Sequence, residues 1–190
     1  DASERNGNWQ LFLAKIARKE EANFPNATII EEEVLLPSAT VERAYPQFSP
    51  DGKELAFIEE RNRLMVINLD TKKVRQITDG STWFSTDGNF DYQWSPDGKW
   101  FTLEFIGNRH DPYSDIGLVS AKGDSPITNL TNSGYMSGSP RWVLDGNAIL
   151  FTTERYGMRA HASWGSQNDA MLVFLNQHAF DKFRLSKEDY

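Results

Sequence analysis

Serine is the first residue type to consider as a nucleophile, because the sequence contains no cysteine and thiolate catalysis is therefore excluded. A serine nucleophile on a strand-to-helix turn lies in a Gly-x-Ser-x-Gly run, and the sequence has no such run. Ser137 and Ser166 each have a glycine neighbour, but neither has that spacing, and loop serines beside glycine are ordinary turn residues. We therefore expect the chain to carry no catalytic residue.

Metal-binding chemistry is equally unsupported by residue types and spacing. His110, His161 and His178 are scattered along the chain, and neither a His-Glu-x-x-His run nor an acidic calcium loop occurs. Without cysteine, a cysteine-ligated zinc site is impossible. The three consecutive polar residues at 109–111 are typical of a solvated loop. We expect neither a metal nor a cofactor.

Composition narrows the classes of partner and fold. The 190 residues have a formal net charge of -7, and a phosphate-binding groove would need clustered Lys and Arg instead. The hydrophobic content of 39% and the aromatic content of 13% are typical of a folded, β-rich domain. No apolar run is long enough to span a bilayer. We expect no nucleic-acid binding and no membrane insertion.

A repeated sequence unit predicts the strands that position any functional side chain. Three copies place an aromatic residue before an Asp-Gly turn and an apolar run after it, and the aromatic residues Phe48, Trp94 and Trp142 lie 46 and 48 residues apart. An Asp-Gly turn between apolar runs predicts a tight hairpin, and a period of this length with several short strands predicts propeller blades. We expect the three aromatic residues at equivalent buried positions.

The repeat predicts an all-β fold, namely an open arc of about three and a half four-stranded antiparallel blades in one partial propeller domain. The units run over 1–43, the outer half of a blade, and over the blades 44–90, 91–138 and 139–190. Strands are expected at 9–16 and 28–36, with a helix over 11–21 as the alternative, and the last strand at 180–186. The chain begins with Asp1 inside a unit, so we expect the first blade to lack its inner strands and the ring to stay open.

Strand order separates two faces of such a domain. The Ser-Pro-Asp-Gly turns and other short connections fall on one face, the short-turn face, while the connections at 79–91, 107–114, 132–139 and 155–166 fall on the other, the long-loop face. Aromatic and arginine side chains on a rigid scaffold commonly bind partners. The candidate substrate- or partner-binding residues there are Arg109, Tyr113, Tyr135, Arg159, His161 and Trp164. The alternative is that these loops pack as a lid or against a neighbouring domain.

The Ser-Pro-Asp-Gly-Lys unit after an aromatic residue, followed by Gln-Ile-Thr at 76–78, resembles the propeller repeat of TolB-like proteins, the tricorn protease and the prolyl-oligopeptidase group. Segments 154–166 and 181–190 resemble bacterial tricorn-type peptidases. The resemblance implies that PDZ and serine-peptidase domains follow the propeller in the parent chain, and no catalytic residue of that family falls on this sequence. In the last unit Val143 and Leu144 replace Ser-Pro, so its turn is expected to differ in shape.

The resulting functional hypothesis is a non-catalytic propeller module of a tricorn-like serine peptidase that gates or binds peptide substrate or docks the other domains. The alternatives are a TolB-like protein-interaction scaffold without a peptidase, and the propeller cap of a prolyl-oligopeptidase-type enzyme. The resemblance implies a periplasmic or otherwise extracytoplasmic location, with the cytoplasm as the alternative. Unpaired blade edges further predict self-association.

Overall fold

The computed structural model describes residues 1–5, 7–38, 40–83, 90–107, 112–158 and 165–189. Within these ranges the chain forms four antiparallel sheets with three, four, four and three strands, and the strands of each sheet follow one another in chain order. The predicted all-β class and partial propeller are thereby confirmed. No helix in the described part of the chain has the length and apolar character needed to cross a membrane.

The strands of the four sheets follow one another along the chain. The first sheet contains β1 (Ala2–Ser3), β2 (Gln10–Ile16) and β3 (Ile30–Leu35). The second contains β4 (Arg43–Phe48), β5 (Glu54–Glu59), β6 (Arg63–Asn68) and β7 (Val74–Gln76). The third contains β8 (Tyr92–Trp94), β9 (Trp100–Phe105), β10 (Asp115–Ser120) and β11 (Thr128–Asn129). The fourth contains β12 (Ser137–Val143), β13 (Ala148–Thr153) and β14 (Asp169–Phe174).

The Ser-Pro-Asp-Gly turns are held by their own serine and aspartate. The hydroxyl of Ser95 donates to Asp97 at 2.6 Å and accepts from the backbone N–H groups of Lys99 and Trp100. The Ser95 hydroxyl is the main reason that the pKa of Asp97 is lowered. Gly98 follows with φ of 70°, a conformation that glycine adopts without strain.

The last unit replaces this turn with a short 3-10 segment, Leu144–Gly146, in which Leu144 and Asp145 have φ of 52° and 54°. Without the serine hydroxyl to accept from the following N–H groups, the chain turns by a different backbone path. The expected change of shape is present.

The sheets pack face to face, and each junction has its own apolar cluster. The largest cluster, between the second and third sheets, includes Leu64, Val66, Trp94, Phe101 and Leu103. Smaller clusters join the first sheet to the second and the third to the fourth. Strands β5, β6 and β9 are therefore nearly continuous apolar runs, because a sheet between two others is covered on both faces.

The prediction that three aromatic residues are equivalently buried is wrong for Phe48. Trp94 is 8% exposed, Trp142 is partly buried and Phe48 is 56% exposed. Each tryptophan rests on the inner strand of the preceding sheet and donates its Nε1–H there, Trp94 to the Gln47 carbonyl at 3.2 Å and Trp142 to the Gln93 carbonyl at 3.3 Å. The described first sheet has no strand at that position, so Phe48 has nothing to rest on.

Both ends of the chain depart from the expected strands. Residues 180–186 were expected to form a strand, but helix α1 (Gln177–Phe183) occupies this stretch. The Asn176 side chain accepts from the Ala179 N–H and caps the helix, and Phe180 and Phe183 both pack on Phe174. At the other end Ala2–Ser3, which lies outside the strands expected for the first unit, pairs with β2. The alternative helix over 11–21 is wrong, because β2 pairs on both sides.

Candidate functional site

Backbone hydrogen bonds join the connections of the long-loop face to one another. The Ile106 N–H donates to the Thr82 carbonyl at 2.8 Å, the Ser137 N–H to the Ser114 carbonyl at 2.9 Å, and the Glu154 N–H to the Met136 carbonyl at 3.2 Å. These bonds tie the ends of β9, β12 and β13 to the adjoining loops. Backbone hydrogen bonds therefore hold the described parts of these loops against the ends of the strands.

A cavity of about 290 Å³ opens on this face between the third and fourth sheets. Its lining is mostly apolar and includes one carboxylate; the residues that matter here are Trp83, Glu104, Ile106, Pro112, Met136 and Thr152. Strand β9 positions Glu104 and β13 positions Thr152, while Trp83, Pro112 and Met136 come from three different loops. The cavity is large enough for one side chain of a ligand rather than for a whole peptide.

Glu104 is the acidic group of this cavity, and main-chain donors hold it in place. Its Oε1 accepts from the Ser139 N–H at 2.6 Å, and its Oε2 accepts from the Asp91 N–H at 3.5 Å. Burial raises the pKa of Glu104, the Ser139 N–H opposes this, and the Asp91 carboxylate adds to it. Arg141, whose Nη2 lies 3.5 Å from an Asp91 oxygen, lowers the Glu104 pKa least of these groups.

The Ser139 N–H reaches Glu104 because β12 contains a bulge. The register of β12 against β13 shifts between Gly138 and Arg141, and Ser139 has φ of 52° immediately before Pro140. A Cβ on Gly138 would lie 2.6 Å from Glu104 Oε1, so glycine leaves the room that the carboxylate occupies. Bulge, glycine and carboxylate thus form one local arrangement.

A second cavity, of about 440 Å³, lies at the corresponding place between the first and second sheets. Ala2, Trp9, Tyr45, Pro46 and Ile58 are among its lining residues. Its inner strand β4 also has a bulge, between Ala44 and Gln47, with Tyr45 at φ of 55°. Strand register places Ala2, Ile58, Glu104 and Thr152 at the same position of their sheets, opposite Leu11, Leu64, Ile116 and Ala170.

Most of the predicted binding residues lie outside the described residues; these are Arg109, Arg159, His161 and Trp164. Tyr113 and Tyr135 are described, and both are partly buried. Each is adjacent in the chain to residues that line the 290 Å³ cavity, Pro112 and Ser114 for the first and Met136 for the second. The structure thus brings the segments of the two tyrosines to one cavity, and their binding role stays a prediction.

Sequence reasoning missed Glu104. The signal was available, because the repeat that aligns Trp94 with Phe48 and Trp142 also aligns Glu104 with Ile58 and Thr152. A charged residue at a position that is otherwise uncharged departs from the repeat. Among the residues that the structure describes, three or more potential ligands are nowhere grouped so as to hold a metal ion.

Comparisons with known proteins agree with this architecture. Residues 17–104 match the family model described as the dipeptidyl peptidase IV (DPP IV) N-terminal region. The chain is 29% identical over 119 residues to the uncharacterized peptidase YuxL of Bacillus subtilis (strain 168), which covers 60% of this chain and 18% of YuxL. The chain thus spans less than a fifth of that relative's length.

Two solved structures have a similar fold. The tricorn protease superposes with a TM-score of 0.56 at 15% identity, over 76% of this chain and 15% of that protein. A structure from a study of two prolyl endopeptidases superposes with a TM-score of 0.53 at 17% identity, over 80% of this chain and 24% of that protein. At these identities the likeness establishes the fold alone. Together with the sequence matches, it confirms the predicted resemblance at the level of a peptidase-associated N-terminal β-propeller region.

Proposed function

We propose that this chain is the non-catalytic β-propeller module of a serine peptidase, and that its long-loop face binds peptide substrate and gates its access to a catalytic domain. The peptidase matches support the first part of the proposal. We infer that the chemistry lies in another domain of the parent protein, and the sequence of this chain, which has no Gly-x-Ser-x-Gly run, is compatible with that division of roles.

The observation that carries the binding role is the 290 Å³ cavity on the long-loop face. Its apolar side chains come from several loops, and one carboxylate stands among them, which is the composition of a pocket that accepts a single residue of a peptide. The two partly buried tyrosines, Tyr113 and Tyr135, lie in the segments beside it, where a neighbouring peptide residue would run.

Two types of parent enzyme fit this module. A tricorn-like parent would add PDZ and serine-peptidase domains, whereas a prolyl-oligopeptidase-type parent would add an α/β-hydrolase domain. The dipeptidyl peptidase IV match over 17–104 and the prolyl endopeptidase likeness favour the second type as a candidate beside the first. The parent sequence beyond Tyr190 decides between them, and a parent without either domain would leave the TolB-like scaffold. We further propose an extracytoplasmic location, which cell fractionation of the parent protein would test.

The binding role is tested by fluorescence anisotropy with labelled hexapeptides and two alanine variants of this chain. Met136→Ala removes an apolar side chain from the cavity, whereas Trp100→Ala removes an aromatic side chain that is 42% exposed beside a Ser-Pro-Asp-Gly turn on the opposite face. We expect Met136→Ala to weaken binding at least fivefold and Trp100→Ala to leave it unchanged. Absence of binding to any peptide, or equal effects of the two variants, would contradict the proposal.

A further inference from the structure

We propose that the cavity between the third and fourth sheets selects a positively charged peptide side chain, lysine above all, and that the Glu104 carboxylate receives its charge. This inference rests on the proposed peptide-binding role of the long-loop face. It adds the chemical class of the residue that is bound.

The negative charge of the Glu104 carboxylate is not balanced by its hydrogen-bond donors. Its two hydrogen-bond donors are the backbone N–H groups of Ser139 and Asp91, which carry no net charge. Within the described part of the chain, no Lys or Arg nitrogen lies within ion-pair distance of Glu104; the nearby Arg141 pairs with Asp91 instead. The carboxylate is therefore oriented by the fold but not neutralised by it.

The cavity walls beside the carboxylate are mostly apolar. Trp83, Ile106 and Met136 line the cavity around the carboxylate. Apolar walls that end at an acidic group suit a side chain with an aliphatic stem and a charged head, because lysine and arginine bury their stems while their heads keep polar partners. A purely apolar side chain would leave the partly buried carboxylate without a counter-charge.

The two carboxylate oxygens of Glu104 differ in how strongly they are already hydrogen-bonded. Oε1 of Glu104 is engaged at 2.6 Å, whereas Oε2 has only the 3.5 Å contact, so acceptor capacity remains mainly on one oxygen. A guanidinium fork pairs best with both oxygens of a carboxylate, but a compact ammonium needs only one. We therefore expect lysine to bind more tightly than arginine.

The equivalent positions in the other three sheets carry no carboxylate. At the position of Glu104, the first sheet has Ala2, the second has Ile58 and the fourth has Thr152. The blade fold forms with small, branched or hydroxylated side chains at this place, so a carboxylate is not required by the repeat. Binding of a positively charged ligand would explain why a carboxylate occupies this position.

The experiment measures binding of N-acetylated, C-amidated hexapeptides that differ only at one central residue: lysine, arginine, norleucine or acetyl-lysine. We expect the lysine peptide to bind wild-type protein at least tenfold more tightly than the norleucine and acetyl-lysine peptides, with arginine between them. Because this contrast lies in the peptides, it needs no variant that must fold. A peptide with a free N-terminus and central norleucine tests whether an α-amine is the cation instead; tighter binding of that peptide than of the lysine peptide would overturn the side-chain assignment.

Glu104→Gln and the control Asp124→Asn each remove one negative charge, the control from an exposed turn on the short-turn face. We expect the preference for lysine over acetyl-lysine to collapse in Glu104→Gln and to persist in Asp124→Asn, with circular dichroism melting curves reporting that both variants fold. Equal binding of all four peptides to wild type would overturn charge selection while leaving peptide binding intact. Failure of every peptide to bind would instead contradict the proposed function.

Discussion

The two cavities between neighbouring sheets occupy the same place in the repeat but differ in chemistry. Ala2 and Ile58 meet in the cavity between the first and second sheets, and Glu104 and Thr152 meet in the one between the third and fourth. Both adjoin an inner strand whose bulge contains a proline. The backbone therefore sets the place of the cavity, whereas the side chain at the shared repeat position decides whether a carboxylate stands there; the charged residues of the first cavity, Glu42, Arg43 and Arg61, come from other positions.

The junctions also differ in how well they are covered. Trp94 lies on the preceding inner strand and is 8% exposed, whereas Phe48, at the equivalent register opposite Leu55, is 56% exposed. Tyr45 beside the first cavity is 51% exposed as well. The difference teaches that an aromatic residue at the repeat position contributes to the core only when the preceding sheet offers an inner strand.

The largest expected effect tests this contrast in coverage. Trp94→Ala should lower the free energy of unfolding by about 3–5 kcal/mol, because it empties a buried site and removes the indole hydrogen bond to Gln47. Phe48→Ala should cost about 1 kcal/mol or less, since the ring is mostly in solvent already. Urea unfolding of the two variants, at a protein concentration low enough to keep the chain monomeric, measures both values. Equal losses would mean that Phe48 is covered in solution.

The fold was predictable wherever one unit resembled the next. The Asp-Gly turns and the apolar runs after them located the strand pairs, because both signals are local in sequence. The exposure of Phe48 was not predictable in this way, since burial depends on a neighbouring sheet. Helix α1 was not predicted, because the repeat required a strand at this place. Two local signals indicated a helix instead, namely the Asn176 cap and the three-residue spacing of Phe180 and Phe183.

The sequence predicted which face of the domain holds the candidate site, but not the contacts made by the residues in it. Strand order predicts that the long connections gather at one end of the sheets, and the described parts of those connections line the cavity there. The contact of Glu104 with Ser139 could not be predicted, because it depends on a bulge that brings one backbone N–H from the fourth sheet to a side chain of the third. Turn chemistry within one unit contains no information about that contact.

The uncovered junction also predicts self-association, which we propose occurs through its exposed aromatic residues Trp9, Tyr45 and Phe48. Trp9 and Tyr45 line one cavity, and Phe48 lies on the same strand as Tyr45. These residues are 40%, 51% and 56% exposed, and aromatic side chains together on a surface favour association. Phe48→Lys should lower the weight-average mass measured by light scattering, by up to about twofold if the wild type is a dimer. The same substitution at Val74, 40% exposed on an outer strand, is the control. A strictly monomeric wild type would contradict this prediction.

A smaller effect is expected from exchanging the residues that precede the two bulges. Gly138→Ala places a Cβ where Glu104 Oε1 lies, so the carboxylate must move from the Ser139 N–H. We expect a loss of about 1 kcal/mol in the free energy of unfolding, because the group that must yield is the end of a flexible side chain. Ala44→Gly at the equivalent position is the control, and it should leave peptide preference unchanged. A Gly138→Ala protein that keeps full preference for lysine peptides would argue against the oriented carboxylate.

The smallest expected effect is the dependence of stability on the protonation of Glu104. Burial raises the pKa of this carboxyl above its ordinary value of 4.5, so the folded chain binds the proton more tightly than the unfolded chain does. Stability that derives from the protonated group is fully present below pH 4.5 and is lost as the pH rises through the raised value. The charges of Asp91, just before β8, and Arg141, in β12, act on the pKa of Glu104 in opposite directions, and the Ser139 N–H opposes the effect of burial.

Wild type should therefore lose stability relative to Glu104→Gln as the pH rises from about 4.5 towards neutrality, because glutamine cannot ionise. The difference between the two melting curves at each pH isolates Glu104 from all other titrating groups. At neutral pH a saturating lysine hexapeptide should stabilise wild type more than Glu104→Gln, since an ammonium beside the carboxylate favours its charged form. In the 440 Å³ cavity, Ala2 of the preceding sheet stands at the position that Glu104 has in the other cavity, so no carboxylate titrates at that position. A difference between wild type and Glu104→Gln that does not change with pH would mean that Glu104 ionises as freely in the folded chain as in the unfolded one, and the shared repeat position would then give the two cavities no difference in titration.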